Sequence, residues 1–132
     1  MLRGGCFCGD IRYELVGEPF NATFCHCSIC RRTSGAPVVA WFSVKRAGLR
    51  WIAGTPTTFA SSAVGLRRFC PRCGTHLTFE HRDLPDEVDI TTGSLDDPEA
   101  VPPVDHTRTS SRLGWVRLCD ELPAFAEARE EQ

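Results

Sequence analysis

The chain has 132 residues, of which 42% are hydrophobic, and a formal net charge of −2. This is the size of one domain with a modest core, and the charge gives no electrostatic case for nucleic acid. No run approaches the roughly 20 apolar residues that span a bilayer, and the first residues lack the apolar stretch of a secretory signal, so a cytoplasmic setting in which thiols stay reduced is expected.

Taken in order, the chain opens on Gly4-Gly5-Cys6-Phe7-Cys8-Gly9, with two thiols two residues apart. Residues 11–16 alternate apolar and polar side chains and predict a strand, which Gly17-Glu18-Pro19 ends. Residues 20–24 predict a second strand that delivers the chain into Cys25-His26-Cys27-Ser28-Ile29-Cys30. Residues 31–35 read as a turn or a single helical turn. Residues 36–44 predict a buried strand carrying Trp41 and Phe42, and residues 49–54 a shorter one. Residues 57–63 are polar and β-prone, and residues 65–69 lead into Cys70-Pro71-Arg72-Cys73-Gly74. Residues 75–80 alternate again. Residues 80–105 carry nine acidic groups against Arg82 alone and hold one expected strand, residues 88–92. Residues 106–117 swing basic, and residues 122–125 predict a short C-terminal helix with Pro123 in its first turn. Many short strands without a sustained helical period predict a mostly β single domain over residues 1–132, its motifs within about 4–125, with no internal repeat.

Seven of the eight cysteines fall in three clusters, and Cys119 stands alone. Side chains two apart on an extended chain leave the same face, so Cys6 with Cys8, and Cys25 with Cys27, can point together. Cys70 and Cys73 have the spacing of a zinc knuckle, and Gly74 after them lets backbone N–H groups approach the sulfurs. Eight thiols in a reducing compartment read as metal ligands before disulfides. The simplest partition closes one structural four-thiolate site from Cys6, Cys8, Cys70 and Cys73. It leaves Cys25, Cys27 and Cys30 with an open corner for chemistry. Cys70 and Cys73 completing a site with Cys25 and Cys27 is the alternative partition, and a Cys70/Cys73 redox pair is a further rival.

Outside the clusters, His26 sits between two thiols and should point away from them as a packing or surface residue. Cys119 reads as a small buried hydrophobe or, less simply, as the missing fourth ligand. His76 and His81 have no ligand spacing, and Trp51 and Trp115 read as core or rim aromatics. His106, Asp105 and Glu80 are the candidates for an acid or base. Arg31 and Arg32, directly after Cys30, are placed to offset a negative centre and to meet a carboxylate-bearing ligand.

The ordered set Gly-Gly-Cys-Phe-Cys-Gly, Cys-His-Cys-Ser-Ile-Cys-Arg, Phe-Cys-Pro-Arg-Cys-Gly, then His106 and Trp115, resembles the glutathione-dependent formaldehyde-activating enzymes, a family that also includes the centromere protein V domain. The resemblance implies a mostly β, Mss4-like fold of packed antiparallel sheets with few short helices. It implies a structural zinc on Cys6, Cys8, Cys70 and Cys73 and a second, catalytic-type zinc on Cys25, Cys27 and Cys30, which can be lost more easily. It further implies carbon–sulfur lyase chemistry on a thiol–aldehyde adduct, with glutathione and formaldehyde as reactants, and His106 draws support from it as a substrate-side residue beside Arg31 and Arg32. No nucleic-acid or membrane partner is expected, and a monomer or a homodimer would serve. The rival function is a non-enzymatic, zinc-stabilised binding module.

Overall fold

The computed structural model describes residues 1–129. Its strands are β1 (Leu2–Gly5), β2 (Arg12–Leu15), β3 (Phe20–Cys25), β4 (Val39–Lys45), β5 (Leu49–Ala53), β6 (Thr57–Ala60), β7 (Gly65–Phe69), β8 (His76–His81), β9 (Glu87–Thr91) and β10 (Asp105–Thr107), with one α-helix, α1 (Ser28–Ser34), after β3. The strands form a three-stranded sheet, β1-β2-β5, and a seven-stranded sheet, β10-β3-β4-β9-β8-β7-β6. Among the described residues no helix is long and apolar enough to cross a membrane.

Period-two patterning decides which face of the large sheet is buried. Phe42 and Val44 of β4 and Val88 and Ile90 of β9 turn inward and meet Tyr13 and Leu15 of β2, all of them almost fully buried. Each such side chain stabilises the fold by roughly 1.5–3 kcal/mol on burial. The alternate residues, Trp41 and Ser43 on β4 and Glu87 and Asp89 on β9, face the other way and line a groove. The same strands therefore build the core with one set of side chains and the site with the other.

Four features differ from the sequence expectations. Residues 28–34 form a true helix, longer than a single turn at 31–35. Cys27 caps it, its sulfur accepting from the Cys30 N–H at 3.2 Å. The buried strand expected from residue 36 starts at Val39, because Pro37 has no N–H for the ladder. The expected helix at 122–125 is absent. That segment is extended, with His106 N donating to Pro123 O at 2.7 Å and Phe125 N to His106 O at 2.8 Å. It covers the outer edge of β10, whose backbone groups would otherwise lack partners, and Pro123 at such an edge needs only to accept. The inner edge of β10 pairs parallel to β3, so the large sheet is mixed rather than purely antiparallel.

Candidate functional site

Two groups of thiols converge. Cys6, Cys8, Cys70 and Cys73 form one, and Cys25, Cys27 and Cys30 the other, with the sulfurs within each group no more than 4.8 Å apart. All eight cysteines are free thiols. Of the two partitions open at the sequence level, the structure assembles the one that pairs the N-terminal thiols with the knuckle.

In the first group, the Cys6–Cys8 and Cys8–Cys70 sulfurs lie 3.5 and 3.7 Å apart. A tetrahedral ion with bonds near 2.3 Å to sulfur needs edges of about 3.8 Å, which these two separations match. Backbone N–H groups of Ile11 and Cys73 point at the sulfurs of Cys6 and Cys70, at 3.2 and 3.4 Å. Gly74 turns the knuckle at φ 80, and a side chain there would meet nothing within 4 Å. The glycine is needed for its left-handed backbone rather than for space. The Thr75 hydroxyl and N–H hold the Cys73 thiol down at about 5. The Asp10 N–H works to lower Cys8, but burial and the neighbouring thiols together push it up to about 12.

The second group sits where β3 runs into α1. Cys25 ends the strand, Cys27 caps the helix, and Cys30 lies buried in its first turn. The Cys25 and Cys30 sulfurs are 3.6 Å apart, again a tetrahedral edge. Cys27 is the thiol that ionises first, held at about 2 by hydrogen bonds from Cys25 and then Cys30. Those same contacts, Cys27 first, push Cys25 up. Among the described residues no fourth His, Cys, Asp or Glu joins the group. Cys119 is exposed and stands apart from it, neither a core residue nor a ligand.

All three sulfurs open on a groove of about 530 Å³. Trp41 and Phe79 form its apolar walls, with Arg67, Arg108, Ser43 and Asp89 among its polar lining. Arg67 is buried, lies 4.7 Å over the Phe79 ring, and is held by the hydroxyls of Ser61 and Thr33 at 3.2 and 3.3 Å. It has no carboxylate partner among the described residues. Asn21 and Arg108, on the groove margin, both adopt left-handed backbone, at φ 54 and 57. Such strain persists where surrounding structure over-determines it, commonly at binding sites. His76 lies next to this face. A register shift between β7 and β8 turns its ring edge-on to Trp41, with centroids 5.1 Å apart, and burial lowers it to about 4.

The other predicted residues lie elsewhere. Arg31 donates to the Ser111 carbonyl at 2.7 Å, and Arg32 is exposed on α1. His106 faces a separate cavity of about 370 Å³ on the opposite side of β3. There it bonds to His26 Nε2 through Nδ1 at 2.9 Å and to Asp120 through Nε2 at 2.9 Å. His26 is thus a packing residue turned from the thiols. Asp105 is tied up by Arg129, and Glu80 by Arg46 and Arg68. Trp51 packs against the core, whereas Trp115 is 72% exposed. The groove residues Arg67, Ser43, Phe79 and Asp89 were not singled out in the sequence. The only local signal was a polar residue between two buried apolar ones, as in Val88-Asp89-Ile90.

Residues 1–111 match the profile described as "Glutathione-dependent formaldehyde-activating enzyme". The chain is 28% identical over 127 residues to a Halomonas elongata protein named "Putative glutathione-dependent formaldehyde-activating enzyme", covering 89% of this chain and 81% of that one. It is also similar to a crystal structure of a Rhodobacter sphaeroides protein solved as a structural-genomics target. There the TM-score is 0.62 at 27% identity, over 80% of this chain and 99% of the other. With the profile spanning most of its length and the cysteine groups assembled as described, the chain belongs to the glutathione-dependent formaldehyde-activating enzyme family.

Proposed function

We propose that this chain is a zinc enzyme of carbon–sulfur lyase type that joins and separates a thiol of the glutathione class and a small aldehyde such as formaldehyde. The observation that supports this most is the set of three sulfurs converging at a groove, with no fourth donor among the described residues. Cys25, Cys27 and Cys30 would hold a zinc ion, which when bound would supply a soft Lewis acid that favours an incoming sulfur as its thiolate. Cys6, Cys8, Cys70 and Cys73 would hold a second, structural zinc that clips the N-terminal strand to the knuckle.

The protein's own groups then do the rest. Arg67, fixed by two hydroxyls and free of a carboxylate, offsets the net negative charge of the three-thiolate centre. It and Arg108, rather than Arg31, Arg32 or His106, are cations that the groove presents to a carboxylate of the ligand. Trp41 and Phe79 keep water from one side of the reacting sulfur. The substrate sulfur attacks the aldehyde carbon and a C–S bond forms. The carbonyl π pair moves to oxygen, which takes a proton from solvent, and cleavage runs the same steps backwards.

Exchange NMR between 13C-formaldehyde and its glutathione adduct tests this. The exchange rate should rise in proportion to added metal-loaded protein and return to the uncatalysed value with Cys30→Ser. An unchanged rate with fully loaded wild-type protein would contradict the reading.

A further inference from the structure

The groove has two chemically distinct ends. One holds Cys25, Cys27 and Cys30, and the other holds Asp89. Asp89 accepts a hydrogen bond of 2.6 Å from Ser43, whose hydroxyl is itself buried beneath it. Among the described residues no arginine, lysine or histidine lies within ion-pair distance of this carboxylate, although the chain pairs Glu14, Glu80, Asp96 and Asp105 with arginine. A half-buried carboxylate held in place by a neutral donor, with His81 and Arg67 acting on it only from beyond ion-pair distance, is costly unless a ligand supplies a cation in contact. Burial also pushes its carboxyl up to about 6.

The spacing says which ligand. Val39 lies opposite Cys25 on one side of β4, and Ser43 lies opposite Asp89 on the other. Cys25 and Asp89 are therefore offset by four residues along β4, about 13 Å, and by two strand spacings across it, roughly 10 Å, which places their backbones about 16 Å apart. In an extended γ-glutamyl-cysteine peptide, the sulfur and the α-ammonium nitrogen are separated by eight bonds, a reach of about 10 Å. The sulfur–sulfur edge of a tetrahedral site, about 3.8 Å, and a hydrogen bond of about 2.9 Å at the ammonium extend that reach to about 17 Å, enough to span the offset.

We propose that Asp89, positioned by Ser43, holds the α-ammonium group of the thiol substrate at the end of the groove remote from the cysteines, and so selects thiols that carry a free γ-glutamyl amine. Asp89 is here a specificity residue, not part of the thiol-capturing centre. The inference rests on the proposed function, since it takes the substrate sulfur to lie at Cys25, Cys27 and Cys30.

The test is calorimetric binding to the metal-loaded full chain with three probes: glutathione, its des-amino analogue glutaryl-cysteinyl-glycine, and S-methylglutathione. Wild-type protein should bind glutathione roughly 10- to 100-fold more tightly than the des-amino analogue, the range expected for a charge-assisted hydrogen bond. Asp89→Asn should bind both equally weakly while keeping its full metal content. Ser43→Ala should reduce the preference without abolishing it. A preference that survives Asp89→Asn in metal-replete protein overturns the proposal, as does equal binding of the two thiols by wild type. S-Methylglutathione separates the two claims. If it binds as tightly as glutathione, capture of the sulfur fails as a reading, while loss of its binding in Asp89→Asn would still support the ammonium site. No binding of any probe overturns both.

Discussion

On the proposed reading the two thiol groups serve different ends, one structural and one chemical, and single substitutions should separate them. Cys70 is fully buried among four sulfurs that tie residue 6 to residue 73. Cys70→Ser should cost more than about 3 kcal/mol in denaturant unfolding, because a closed structural site contributes directly to folding. Cys30 lies in an open group on a short helix that the sheet supports without it. Cys30→Ser should stay within about 1 kcal/mol of wild type while losing one metal per chain. Equal destabilisation by both would show that both centres are structural. Asp89 gives a second residue-scale outcome. Its carboxyl is raised by burial against the lowering effect of Ser43, with Glu87 raising it further and His81 and Arg67 lowering it. With the folded value near 6 and the unfolded one near 4, the native state binds more protons between those values. This contribution to stability is present below about pH 4 and is lost as pH rises through 6. Asp89→Asn should flatten that segment of the stability–pH curve and leave the protein no less stable at pH 7. A variant that is clearly less stable at pH 7 would show that the carboxylate serves the fold rather than a ligand.

At the scale of elements, the strands were readable and the surroundings of the site were not. The alternation in residues 11–16 and 75–80 marks β2 and β8 closely, because each buries one face and the period is fixed at two, and the strand expected at 20–24 is β3. The C-terminal segment misled, because Pro123 after Leu122 is as good a start for a helix as it is for an edge strip, and only the exposed edge of β10 decides between them. That placement makes a prediction. The amides of His106 and Phe125 should be protected from hydrogen exchange to a similar degree, since each donates across the same junction. Rapid exchange at Phe125 with slow exchange at His106 would mean that the strip is not docked. The helix after Cys27 shows in the sequence only as a turn or a single helical turn over residues 31–35, for a related reason. A cysteine is an uncommon N-cap, and its sulfur takes the role usually filled by Ser, Thr, Asn or Asp.

For the molecule as a whole, the thiol spacings in the sequence narrow the pairing of the clusters to two partitions, and only the folded arrangement decides between them. The groove was not legible. Arg67, Ser43, Phe79 and Asp89 come from four different strands, and their meeting depends on strand order rather than on any local pattern. The His26–His106–Asp120 chain was hidden likewise, since it joins residues 80 and then 14 apart in sequence across β3 and the C-terminal strip. The sheet thus divides its labour by face: Phe42, Val44, Val88 and Ile90 hold the core, and Trp41, Ser43, Glu87 and Asp89 line the groove. The central claim is that Cys25, Cys27 and Cys30 hold a metal whose fourth position takes a substrate thiol. It is tested most directly by replacing zinc with cobalt and following the sulfur-to-cobalt charge-transfer absorption as glutathione is added. The account predicts a saturable intensity increase corresponding to one additional sulfur per chain, absent with S-methylglutathione and absent in Cys30→Ser. A spectrum already showing two four-sulfur centres before any thiol is added, and unchanged afterwards, would contradict it.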